Sequence, residues 1–207
     1  MALNSPHYDH LRYLLLIMKK NSILLGLVLL LGCFVLYKTS PTTITPFIKA
    51  TIAQQKTTIM TIDTPKNTAS TKILYLDIIS FPEDVILKHS KLGALGYASN
   101  FFIDFEATMN VSKKELYHFL IASDDGFRLF IDGKPICEFL GDRPLAKNEC
   151  TVLLDKGEHL FFLSYFQGYG RLGLQAYYRP TSSNAYNFVG VSSPSLTFKK
   201  LKGEDAH

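Results

Sequence analysis

Tryptophan is missing from the 207 residues, cysteine occurs three times, and charged residues make up only 19% of the chain. So few cysteines exclude a disulfide-dense scaffold, and the lack of a Cys-x-x-Cys or close His pair argues against a zinc site. There is no Gly-x-Ser-x-Gly elbow, no His-Glu-x-x-His helix and no phosphate loop. The net charge of +4 is small, with no Arg-rich face, so nucleic acid is not expected as a partner. A long amphipathic helix is absent after residue 38. What remains is a 47% apolar chain whose Phe and Tyr fall in short alternating runs, the composition of a folded protein built from strands.

One long apolar run does occur. From Asn21 to Tyr37 no side chain is charged, and as a helix this stretch would cover about 25 Å. That is slightly short of a bilayer core of about 30 Å, a difference that thinning and snorkelling lysines absorb. Residues 21–38 are therefore expected to form a transmembrane helix in contact with the lipid bilayer. Arg12, Lys19 and Lys20 precede it and only Lys38 follows closely. This puts a short N-terminus, residues 1–20, in the cytoplasm and the rest outside. A bacterial inner membrane with a periplasmic C-terminal domain is the expected setting. Translation from Met18 and cleavage or lipidation at Cys33 stay open as alternatives.

Residues 39–71 are rich in Thr, Ile, Lys and Pro without a sustained period, and read as an extracytoplasmic linker. Thr57 to Ile62 within it could add a strand to a sheet edge. Strand-like runs then follow at the spacing of an antiparallel sandwich: 72–79, 101–109, 116–123, 127–132, 150–155, 158–166 and 172–178. Asp124-Asp125-Gly126, Asp132-Gly133 and Lys156-Gly157 read as turns between them. His159 to Phe166 is apolar on both faces, which predicts a central strand covered on both sides. The domain is expected to span 72–198, with a polar tail over 199–207. Cys137 and Cys150 bracket a loop of about 14 residues. A disulfide there would contribute about 3 kcal/mol, the alternative being two buried thiols.

The run Ser123-Asp-Asp-Gly-Phe-Arg-Leu-Phe-Ile-Asp-Gly-Lys134, followed by Leu154-Asp-Lys-Gly-Glu-His159 and Tyr165-Phe-Gln-Gly-Tyr-Gly170, resembles the PA-fourteen domain family. The similarity covers about Leu74 to Pro180. It implies an all-β, antiparallel β-sandwich that commonly binds carbohydrate or serves as an interaction module. In sugar-binding members two adjacent aspartates, joined by a cis peptide, hold a calcium ion that also contacts sugar hydroxyls. Asp124 and Asp125 stand at that position. Calcium prefers several hard oxygens, so a third ligand is required, and Asn184, Asn187 and Asp104 are conceivable. Asp and Gly are also ordinary turn formers, so a purely structural role stays open beside it.

Phe166, Gln167, Tyr169 and Arg171 surround two glycines and are candidate contacts for a sugar or a protein partner, with aromatics that cap the sandwich core as the open alternative. Asp124 and Asp125 lie too close together for a glycosidase pair, and a non-enzymatic role is expected. Two functions remain: a structural subunit of an envelope assembly (secretion, adhesion or flagellar machinery) binding envelope proteins, or a calcium-dependent glycan-binding module.

Overall fold

The computed structural model describes residues 22, 24–34 and 44–201. The chain divides into two compact units, Met1–Thr42 and Thr43–His207. In the first, residues 22 and 24–34 are helical, and the leucines from Leu24 to Leu31 are exposed. Among the described residues no helix is long and apolar enough to cross a membrane. The expected span over 21–38 lies partly outside the described residues, and the segments 1–20 and 202–207 lie wholly outside them.

The second unit consists of strands. They are β1 (Ile48–Gln55), β2 (Thr68–Leu76), β3 (Ser80–Asp84), β4 (Lys88–His89), β5 (Gly93–Ala94), β6 (Phe101–Val111) and β7 (Glu115–Asp124), then β8 (Phe127–Ile131), β9 (Lys134–Phe139), β10 (Ala146–Leu154), β11 (Gly157–Gln167), β12 (Leu172–Pro180), β13 (Asn187–Phe188) and β14 (Leu196–Phe198). A large antiparallel sheet runs β2-β1-β6-β11-β8-β9, with β14 also on β6. A smaller sheet runs β10-β7-β12-β13, with β3 also on β12. Two faces that alternate apolar and polar side chains must each bury the apolar set, and stacking them does so. Phe105, Phe161 and Leu163 from the large sheet meet Phe119, Ile121 and Tyr178 from the small one, all buried. The Phe119 ring lies 6.0 Å from Phe161 and 6.5 Å from Tyr178, aromatic pairing that adds about 1 kcal/mol beyond area burial.

Several boundaries differ from the sequence reading. Residues 48–55, expected to be linker, form β1, bonded on one side to β2 and on the other to β6. Ile48, Ala50 and Ile52 are its buried face; only the alternation of three small or branched residues marked it, among threonines and lysines. Residues 57–62 are not a strand; Thr61 alone bridges to Gly141. Ile59 and Ile62 instead cover Phe102 and Phe166 on the outer face of the large sheet. The stretch 80–100, expected to be mostly loop, carries β3, β4 and β5. In the tail, β13 pairs with β12, and Leu201 donates its amide to the Pro46 carbonyl at 2.9 Å.

β11 is central, between β6 and β8, but it is not covered on both sides. Leu160 on its outer face is 62% exposed, and Phe162 is half-buried against Phe130. Of the three expected turns, only Asp132-Gly133 closes a hairpin; both residues have positive φ, as a tight two-residue reversal requires. Asp124-Asp125-Gly126 and Asp155-Lys156 instead carry the chain from one sheet to the other, since β7 and β10 belong to the small sheet and β8 and β11 to the large.

Cys137 of β9 and Cys150 of β10 are joined by a disulfide with Cα atoms 5.8 Å apart. β9 and β10 are edge strands of different sheets, so this bond closes one open side of the sandwich. Replacing both cysteines by serine is expected to cost about 3 kcal/mol, the chain-entropy value for a loop of this length, read from denaturant unfolding. A double variant as stable as the oxidised parent would show that the bond does not constrain the unfolded chain.

Candidate functional site

The Asp-Asp-Gly corner ends β7 at the end of the sandwich where β1 finishes, away from Ile44, where the domain chain begins. Both aspartates are buried, Asp124 to 7% and Asp125 to 3% exposure. A buried carboxylate is tolerated only with hydrogen-bond partners, and Asp125 has them. Its Oδ2 accepts the Gly168 amide at 2.7 Å and its Oδ1 accepts the Arg143 amide at 3.3 Å. Its own amide donates to the Arg143 carbonyl at 3.0 Å, and Ser123 Oγ donates to its carbonyl at 2.8 Å. One side chain thus ties the corner to the loops at 140–145 and 167–171. Asp125 has φ of +65°, a left-handed conformation that Asp tolerates better than most residues.

Gly126 allows this closeness. A Cβ there would stand 2.5 Å from Phe166 Cε1 and 2.6 Å from the Phe139 carbonyl. Arg143 completes the corner from within. Its guanidinium lies 4.2 Å from the Phe139 ring centre and donates to Asn148 Oδ1 at 2.6 Å and to Ser123 Oγ at 2.8 Å. The sequence reading missed Arg143; it sits in a loop of ordinary polar composition, and nothing local marks it.

Burial pushes the Asp124 carboxyl up to about 6, with the charges of Asp125 and Glu83 adding to the effect; the Leu145 amide and Arg171 oppose it. Burial also raises Asp125, against its bonds to Gly168 and Arg143. The peptide between the two aspartates is trans, and no cis bond occurs among the described residues. The cis arrangement implied by the resemblance is therefore not adopted. The proposed further ligands are not brought here. Asn187 lies opposite Tyr178 and Phe119, five positions along β7 from Asp124, or about 17 Å. Asp104, on β6 of the large sheet, bonds Lys66 and Ser164. Among the described residues no group of three or more His, Cys, Asp and Glu could hold a metal.

The four contact candidates separate into two pairs. Phe166 is wholly buried beside Ile59, Ile62 and Phe102. Gln167 is wholly buried too; it accepts from Tyr165 and donates to the carbonyls of Tyr169 and Arg171 at 3.2 and 2.9 Å. Both are thereby structural, holding the loop from beneath. Tyr169 is 63% exposed with its hydroxyl 3.3 Å from that of Thr58. Arg171 reaches Glu83 at 2.5 Å. These two are presented to the outside.

No family model matches the chain, and no curated protein matches it in sequence. Solved structures do match it in fold. The PA14 domain of the MpAFP antifreeze protein superposes with a TM-score of 0.55 at 11% identity, over 72% of this chain and 90% of that one. The PA14 sugar-binding domain from an RTX adhesin gives 0.55 at 14% identity, over 70% and 95%. The A domain of epithelial adhesin 6 from Candida glabrata, in complex with Galb1-3GlcNAc, gives 0.51 at 12% identity, over 79% and 92%. The fold is that of PA14 domains.

Opposite outcomes are expected for the two aspartates. Asp125→Ala strands two backbone amides and is expected to cost about 2–4 kcal/mol at any pH. Asp124 takes up a proton more readily folded than unfolded. Its protonation therefore stabilises fully below the ordinary carboxylate range, and that contribution is lost as pH rises through about 6. Between pH 4 and 7.5 the parent should lose about 1–2 kcal/mol relative to Asp124→Asn, less than full linkage because solvent screens part of the charge. Parallel stability–pH curves for parent and Asp124→Asn would refute this.

Proposed function

We propose that the chain is an extracytoplasmic interaction module, held to a membrane by residues 21–38 and contributing one domain to an envelope assembly. The observation that carries the reading is the use of both Asp125 oxygens to bind backbone amides. A carboxylate so committed ties three loops into a rigid end, the form of a preorganised contact surface. The loops it organises lie at the opposite end of β1 from Ile44, where the chain enters the domain. Envelope proteins are the proposed partners, with a periplasmic domain and a cytoplasmic N-terminus in a bacterial inner membrane.

A second reading, calcium-dependent glycan binding, is favoured by one observation. Asp124, buried with its carboxyl raised to about 6, is a group that a bound cation would restore to the charged form. Domains of the same fold are described as sugar-binding or were solved with a disaccharide.

Calorimetric titration of the full chain in detergent separates the two. No calcium heat and no calcium-dependent change in Tm are expected; a micromolar calcium site abolished by Asp124→Asn would replace the first reading by the second. Membranes washed with alkaline carbonate are expected to retain the chain. Release of the intact chain into the wash would remove the anchor from the proposal.

A further inference from the structure

The two ends of the sandwich differ in chemistry. At the end next to the chain entry, the connections Ser112-Lys113-Lys114, Asp132-Gly133 and Asp155-Lys156 are polar and exposed, as loops ordinarily are, and the exposed Leu116 and Leu153 there lie opposite each other on paired strands and not on loops. At the opposite end, exposed large apolar side chains come from four separate loops. They are Met60 at 61%, Val85 at 57%, Leu140 at 42%, Leu145 at 38% and Tyr169 at 63% exposure. Scattered single apolar residues need no explanation, but convergence of four loops on one end does.

The loops are physically joined. Ile62 donates to the Leu140 carbonyl at 2.8 Å, and Thr61 bridges to Gly141. Thr58 and Tyr169 share a hydroxyl contact at 3.3 Å. Around Gly173, the Cβ position lies 3.2 Å from Glu83 Cα and 3.4 Å from Leu145 Cδ1. With Asp125 tying the corner to Arg143 and Gly168, these segments form one rim rather than independent tips.

The rim surrounds a negative centre. Asp124 accepts the Leu145 amide within it, and of the charged side chains acting on it Asp125 and Glu83 are negative, opposed by Arg143, whose guanidinium is bonded to Asn148 and Ser123, and by Arg171. The latter arginine is already held by Glu83. Exposed Asp142 adds its charge close to Asp125. An apolar ring around an under-compensated carboxylate is complementary to a cation flanked by apolar groups. Sugars suit it less well. Four of the five apolar members are aliphatic, and only Tyr169 offers a ring face for stacking.

We propose that this loop end docks a protein partner through a lysine or arginine set among apolar side chains, the cation reaching Asp124 and the apolar groups covering Met60, Leu140, Leu145 and Tyr169. The proposal rests on the reading of the domain as an interaction module, and gives that module its surface and the chemistry of its partner. Arginine is the better fit where the contact is desolvated, because its planar group is weakly hydrated and packs on apolar neighbours.

The test is to pan a phage-displayed library of random dodecapeptides on the full chain in detergent. The expected result is enrichment of peptides carrying Lys or Arg beside aliphatic or aromatic residues. Affinity of the synthetic peptides should fall at least tenfold on Tyr169→Ser and on Asp124→Asn, but not on Leu160→Ser. Tyr169 is exposed, so its replacement is not expected to disturb folding, and unchanged thermal unfolding of Tyr169→Ser checks this. Enriched peptides without a basic residue, or with affinity that responds to Leu160→Ser instead, overturn the surface and leave the interaction module standing. No enrichment overturns the docking proposal. No enrichment together with calcium-dependent binding of Galb1-3GlcNAc overturns the module reading as well.

Discussion

A carboxylate taken out of water must find donors, and the end of this domain is arranged around that requirement at Asp125. Its two oxygens collect amides from residues 18 and 43 positions away in sequence, so three loops share a fixed reference point. Remove those partners and the charge would be buried without compensation, at a cost of several kcal/mol. The neighbouring details follow from the same demand. Gly126 has no Cβ because Phe166 and the Phe139 carbonyl close in, and Arg143 folds its guanidinium against Phe139 to bring its backbone into reach. Asp124 faces the opposite situation. Burial and the charges of Asp125 and Glu83 raise its carboxyl, opposed by the Leu145 amide.

The alternation of the chain between sheets explains why such a staple is needed. β6, β7, β8, then β9, β10, β11 and β12 pass between the two sheets at nearly every connection, β8 to β9 being the exception. Each crossing leaves loop backbone that no ladder satisfies, and these backbone groups need partners from elsewhere. At the far end they are supplied by Asp125, by the buried Gln167 and by Asn100, whose Oδ1 accepts the Ile59 amide at 3.2 Å. At the open side between β9 and β10 the disulfide takes over the task of holding the sheets together. A preformed loop end spends less free energy on ordering than a flexible one when a partner arrives.

The long strands β6, β7, β8, β11 and β12 were legible because period-2 alternation is a local property; β9, with a largely exposed pattern, and the short β14 were not. β1 was not legible in the same way. Its outward positions, Lys49, Thr51 and Ala53, look like the spacer around it, and its pairing with Phe101–Ala107 is set about fifty residues away. The Asp-Asp-Gly run was recognisable as a break in the strand pattern, and a break is what it is. Whether it closes a hairpin or turns a corner between sheets depends on the partners of β7 and β8, and those partners are β10, β12, β11 and β9. Phe166 and Gln167 read as exposed because they lie beside glycines. The excursion carrying Ile59 and Ile62 covers the first, and the second turns inward to bond Tyr165.

By itself, then, the sequence determined the kind of secondary structure, the long strands after residue 100, the apolar segment at 21–38 and the position of the acidic corner. These depend on local composition and spacing, which no distant contact can alter. Tertiary structure decided which sheet each strand joins, that residues 48–55 belong to the domain, and what the two aspartates do. Those outcomes depend on pairings between residues tens of positions apart. One aspartate meets the amides of Gly168 and Arg143 and becomes a staple; its neighbour, buried beside it, has its carboxyl raised to about 6.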